Sequence, residues 1–101
     1  PGAPYIHFSD SGLNPDHELT NVVLSWEPTC YNGSYHLFKL NSQGQWEKVK
    51  SFLKQNSAVN FSIPANLPKK NEEGEIIYHC FKVDVINASG LGNIESRKIV
   101  I

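Results

Sequence analysis

An all-β, antiparallel sandwich of seven short strands is the fold class that this 101-residue sequence predicts. Three observations carry it. Apolar residues recur at every second position in short runs, clusters of Pro, Gly and Asn separate those runs, and very little of the chain reads as helix. The clearest run lies near the end, where Ile77, Phe81, Val83 and Val85 alternate with polar residues, with His79 filling the gap, before an Asn87-x-x-Gly90 turn. Period two places those side chains on one apolar face of an extended strand.

Taken in chain order, a Pro-rich entry (Pro1 to Pro4) leads into a short strand over Tyr5 to Ser9. Asn21 to Trp26 is the next strand, with Val22, Leu24 and Trp26 inward and Val23 and Ser25 outward, and Glu27-Pro28 ends it. After the Asn32-Gly33 turn signal, Tyr35 to Leu40 places Tyr35 and Leu37 on one face and His36, Phe38 and Leu40 on the other. Ser42 to Gln45 is a turn and Trp46 to Val49 a short strand. From Val49 to Ser57 helix and strand formers mix, and the pattern does not decide between them. Val59 to Ile63 alternates Val59, Phe61 and Ile63 against Asn60 and Ser62 until Pro64 closes it. Pro68 to Glu75 collects charge and turn formers, which reads as an exposed loop. Ile77 to Ile86 follows, then the turn and a last strand before Ser96. The expected core is Trp26, Tyr35, Leu37, Phe61 and Val83.

Composition narrows the function. With 40% apolar and 11% aromatic residues, 101 residues fill one modest core, so residues 1–101 are expected to form a single domain. Nine basic and ten acidic residues give a net charge of −1, and the basic residues look scattered apart from Lys69-Lys70, so nucleic acid is not an expected partner. No apolar run approaches the roughly 20 residues that cross a bilayer, and Pro1 to Pro4 is not a signal peptide, so no membrane role is expected. Catalysis is not expected either. His7, His17, His36 and His79 lie far apart, no His-x-x-x-His or Cys-x-x-Cys pair offers a metal site, and Gly90-x-Gly92 follows a strand without opening a helix. Asp10, Asp16, Glu72, Glu73 and Glu75 read as solvated loop charges. The sequence thus implies no cofactor, no metal and no small-molecule substrate.

The chain resembles a fibronectin type III domain over its full length. The resemblance rests on the entry Pro-x-x-Pro, on Leu24-Ser25-Trp26-Glu27-Pro28, on Tyr35-x-Leu37 and on Val83-x-Val85-x-Asn87-x-x-Gly90. It implies a binding module without chemistry of its own. Where that family carries its corner tyrosine, this chain has His79, with Tyr78 beside it on the opposite face, and the link from Leu67 is longer than the family's compact turn. A His79 ring nitrogen is therefore expected to bond the backbone before that strand. Ser34-Tyr35-His36-Leu37-Phe38 with Gln45-Trp46-Glu47-Lys48-Val49 is most similar to the C-terminal fibronectin type III domain of the activating transcription factor 7-interacting protein and Windei family. Those proteins are nuclear cofactors of a histone H3 lysine 9 methyltransferase, which implies docking of chromatin and transcription partners.

Within that topology, Cys30 and Cys80 fall at opposite ends of the sandwich, on the order of 20 Å apart, too far for a disulfide. Two unpaired thiols favour a reducing compartment and a nuclear or cytosolic location. Three N-glycosylation sequons point the other way: Asn32-Gly33-Ser34, Asn60-Phe61-Ser62 and Asn87-Ala88-Ser89. The alternative is a structural or adhesive spacer of an extracellular glycoprotein.

What the sequence leaves for function is a surface. In the same topology the outward residues are His36, Phe38 and Leu40, then Trp46, then Tyr78, Cys80, Lys82, Asp84 and Ile86. A face that meets only water alternates to polar residues, and this one does not. His36, Phe38, Leu40, Trp46, Tyr78 and Ile86 form the candidate partner-binding patch. The occupant is expected to be a protein or short linear peptide, laid across the patch or added as a strand at a sheet edge.

Overall fold

The computed structural model describes residues 3–29, 33–86, 93–95 and 98–101. The described residues hold ten strands and no helix: β1 (His7–Ser9), β2 (Glu18–Leu19), β3 (Val23–Trp26), β4 (Gly33–Leu40), β5 (Trp46–Gln55), β6 (Val59–Ser62), β7 (Leu67–Pro68), β8 (Cys80–Ile86), β9 (Asn93–Glu95) and β10 (Ile99–Val100). A three-stranded sheet has the order β1-β3-β6. A five-stranded sheet runs β10-β8-β4-β5, with β9 also on β8, and every pairing is antiparallel.

The two sheets share one core, in a sandwich-like arrangement. Val22, Leu24, Trp26 and Val59 come from the smaller sheet or its margin, and Tyr35, Leu37, Phe81, Val83 and Val85 from the larger. Each strand puts alternate side chains inward, so period two in the sequence becomes the burial pattern in space. The expected core residues Trp26, Tyr35, Leu37 and Val83 are fully buried. Phe61 is half-buried and packs edge-on against Phe52, which in turn meets Trp26 edge-on at 5.2 Å.

Four expectations need correction. The stretch from Val49 onward is strand, and β5 runs for ten residues where only Trp46 to Val49 was expected. Its period is hidden by a bulge. Phe38 pairs with Lys48 but Leu37 pairs with Lys50, so the strand slips by one residue at Val49 and its inward set changes from odd to even sense relative to β4. A second slip falls between Gly33 and Tyr35. The charged stretch after Pro68 is exposed as expected but is organised, with Lys70 bridging to Ile76, and just before it β7 pairs with β2 in a two-stranded sheet that was not expected. The strand through Phe81 begins at Cys80, because Ile77 to His79 turn away from β4. The first strand starts at His7, two residues later than expected. The Asn32, Cys30, Asn87 and Gly90-x-Gly92 readings lie outside the described residues.

One turn is used three times. At Asn14–Glu18, Asn41–Gln45 and Asn71–Glu75 the asparagine side-chain oxygen accepts from the backbone N–H groups two and four residues on. In each, the fourth residue donates its N–H to the asparagine carbonyl and has positive φ: His17 at 60°, Gly44 at 78° and Gly74 at 80°. Two of the three place glycine where the backbone requires it; the first places a histidine, which has a Cβ to accommodate. His17→Gly should therefore raise stability by about 0.5–1 kcal/mol, while Gly44→Ala or Gly74→Ala should lower it by a similar amount, each measured by urea unfolding. An added Cβ meets nothing within 4 Å at Gly44 or Gly74, so a loss at either reports backbone strain alone.

Candidate docking face

Strand pairing assembles the outer face of the larger sheet. Ser34 lies opposite Ile86, His36 opposite Asp84 and Phe38 opposite Lys82 across β4 and β8, while Phe38 meets Lys48 and Leu40 meets Trp46 across β4 and β5. His36, Phe38, Leu40, Trp46 and Ile86 thus share one surface, and all five are half-buried. Tyr78 continues it beyond the end of β8 and is 68% exposed. The six residues named from the sequence fall on one side of the molecule, with Ile86 at one end and Tyr78 at the other.

The centre of the face is closed by a residue the sequence placed among the outward ones without assigning it a role. Lys82 is only 7% exposed. Its ammonium lies 5.3 Å from the Phe38 ring centre and 5.0 Å from that of Trp46, donates to the Glu95 carboxylate and sits 3.4 Å from Asp84 Oδ1. Burial alone would depress the lysine pKa; the Glu95 hydrogen bond and the Asp84 charge more than reverse it, and the net shift is upward. Glu95 is held below the usual carboxylate range by the same hydrogen bond and charge. Phe38 and Trp46 are therefore not an open greasy surface. They are the walls of a cation clamp, each ring spending one face on Lys82. A signal for this existed in the sequence: a lysine at an outward position between a Phe and a Trp on neighbouring strands.

Two histidines flank the face. His36 Nδ1 is 2.9 Å from Ser51 Oγ, and its pKa is lowered by burial and then by Lys48, against a smaller opposing effect of Asp84. His79 is 6% exposed, and its Nε2 lies 2.6 Å from the Pro68 carbonyl. That carbonyl can only accept, so Nε2 carries the proton and the bond to the preceding backbone is the expected one. Burial pushes the His79 imidazole below its ordinary range, the Pro68 bond works against this, and Lys39 and Lys69 add to the depression.

The edge of the sheet is protected. β5 is the outermost strand, but it carries two register shifts and lysines at 48 and 50, features that oppose the addition of a further strand. Lys50 folds over the core margin, 5.4 Å from the Phe52 ring and 5.5 Å from that of Phe61. Among the described residues, no group of three His, Cys, Asp or Glu side chains converges to hold a metal ion, and no helix is long and apolar enough to cross a membrane.

Removal of the clamp lysine, Lys82→Ala, should cost about 2 kcal/mol in chemical unfolding, from two ring contacts and one charge-assisted hydrogen bond lost together. Lys82→Met should recover part of that by refilling the space between the rings. For pH, both histidines have folded-state values below their unfolded value of about 6.5, so the unfolded chain takes up protons first. Their contribution to stability is full above about pH 7 and is lost as pH falls through 6.5 toward the depressed folded values. His79→Gln should flatten the melting-temperature profile between pH 7 and 5, and an unchanged slope would remove His79 from the account. Comparison of the chain with protein-family models, with curated proteins and with solved structures gave no match.

Proposed function

We propose that this chain is a fibronectin type III-type interaction module that docks protein or peptide segments on the β8-β4-β5 face, serving chromatin or transcription-regulator partners in a nuclear cofactor of a histone H3 lysine 9 methyltransferase. The reading is supported by two antiparallel sheets, ordered β1-β3-β6 and β10-β8-β4-β5, that share one core. Function rests on one observation above the others: an outward sheet face with Phe38, Leu40, Trp46 and Ile86 in register and Tyr78 exposed beyond them, where water alone would select polar residues. The Lys82 clamp adds to this by fixing the two largest rings in place before any partner arrives, which lowers the entropy cost of binding. Cys80 is a free, half-buried thiol, in keeping with a reducing compartment.

A second reading has one observation in its favour. Asn60, acceptor of the middle sequon, is exposed on β6 opposite Ser25, where a glycan would meet solvent. Secretion of the chain and mass measurement before and after glycosidase treatment separates the two: occupied Asn60 supports an extracellular spacer, and an unmodified chain supports the nuclear module.

Phe38→Ala and Trp46→Ala should each weaken binding of chromatin-associated segments at least about tenfold by calorimetry, while lowering the melting temperature by a few degrees through the loosened clamp. A proline at Lys50, on the protected edge, should leave binding intact. If both alanine variants bind as the parent does, the face is not the docking surface.

A further inference from the structure

Strands β4 and β8 pair from Ser34 opposite Ile86 to Lys39 opposite Phe81 and then part. β4 continues to Leu40, still paired with Trp46, but Cys80, the residue that would come next, pairs with Val100 on the other side. A polar knot draws the chain away. Ile77 N–H donates to the Lys69 carbonyl, His79 and Ile101 exchange backbone bonds at 3.1 and 2.8 Å, and the Lys69 ammonium donates to the carbonyls of Ile77 and Ile101 at 2.7 and 2.6 Å. With the Nε2 bond of His79 to Pro68, these bonds hold residues 77–79 against β7 and the last strand. The parting leaves a wedge-shaped groove of about 460 Å³ between two neighbouring strands of one sheet. Leu40, Val49, Tyr78 and Cys80 line it with apolar surface, and Lys39 and Lys48 stand among them.

Charge identifies the occupant. Residues 33–55, the β4-β5 hairpin, hold four lysines and one glutamate, whereas the rest of the chain holds five basic and nine acidic residues. The single acid, Glu47, also lines the groove and accepts from Asn41 Nδ2 at 2.7 Å, so two lysines there face one carboxylate. Four of the nine basic residues thus stand on the hairpin that forms one wall of the groove, and two of them, Lys39 and Lys48, line it. A basic segment would be repelled by it.

We infer that this groove takes an extended peptide segment with one aliphatic or aromatic anchor between acidic residues: the anchor sits on Leu40, Val49 and Tyr78, and the flanking carboxylates meet Lys48 and Lys39. The inference rests on the docking-module reading and moves the centre of binding from the clamped rings of Phe38 and Trp46 to the open end of the same face. An anchor in a pocket with a charged rim is the usual division of labour at a protein interface, the pocket giving residence time and the rim giving on-rate.

The test is a titration of the isotope-labelled 101-residue chain with two synthetic peptides, one with a leucine flanked on both sides by Asp and Glu, the other with lysines in place of the acids. The acidic peptide should shift the amide signals of Leu40, Val49 and Tyr78 to Cys80, bind several-fold more weakly at high salt, and slow alkylation of Cys80. Lys48→Glu should weaken it about fivefold or more with no loss of thermal stability, and Tyr78→Ala should do the same while lowering the melting temperature slightly through the lost contact of its ring with Lys69 at 4.9 Å. Equal binding of the lysine peptide overturns the charge assignment. Shifts centred on Phe38, Trp46 and Ile86 overturn the groove and leave the docking face standing. Absence of shifts from both peptides overturns the groove, and the docking face falls with it only if Phe38→Ala and Trp46→Ala also bind chromatin segments as the parent does.

Discussion

Burial of alternate side chains from two facing sheets is the interaction on which everything else here depends. Val22, Leu24 and Trp26 on one side and Tyr35, Leu37, Phe81, Val83 and Val85 on the other leave almost no surface to water. Each such side chain contributes roughly 1.5–3 kcal/mol when removed from water, which is the scale needed to offset the ordering of a chain this short. Because the period is two, fixing the inward set also fixes the outward set. Leu37 and Val83 cannot be buried without turning Phe38, Lys82 and Trp46 to the outside. The outer face is therefore a by-product of the core in position, though not in composition.

Its composition creates a problem that Lys82 solves. Two large rings on a solvent-facing sheet would normally favour aggregation or find another partner. Placing an ammonium between them satisfies each ring by an electrostatic contact, and Asp84 with Glu95 satisfies the ammonium. The same group that covers the rings also makes them rigid. Docking, if it used the centre of the face, would meet a prearranged surface with its charge already balanced, while the unbalanced lysines stand on the β4-β5 hairpin and beside the groove.

That groove has a backbone cause. A regular sheet would continue the β4-β8 ladder past Lys39, and the His79-Pro68, Lys69 and Ile101 bonds stop it by offering the same backbone groups better-placed partners. His79 bonds the carbonyl of Pro68, eleven residues earlier, and the connection between them is itself organised as a Lys70 to Ile76 hairpin on an asparagine turn. The His79–Pro68 bond and the opening in the sheet are two aspects of one local arrangement.

The sequence by itself determined the strands whose alternation is clean, their inward and outward sets, the buried role of His79 and the six residues of the outer face, because side-chain direction in a strand follows from position parity alone. It could not reveal β5 beyond Val49, since a bulge breaks parity and leaves a mixed pattern behind. Nor could it reveal the pairing of β2 with β7, two residues each, whose stability comes from distant partners. Only the tertiary structure decided that Lys82 closes the centre of the face and that β4 and β8 part at Lys39. Each of these depends on which strands become neighbours, and neighbour choice is set by the packing of the whole core, which no single segment encodes.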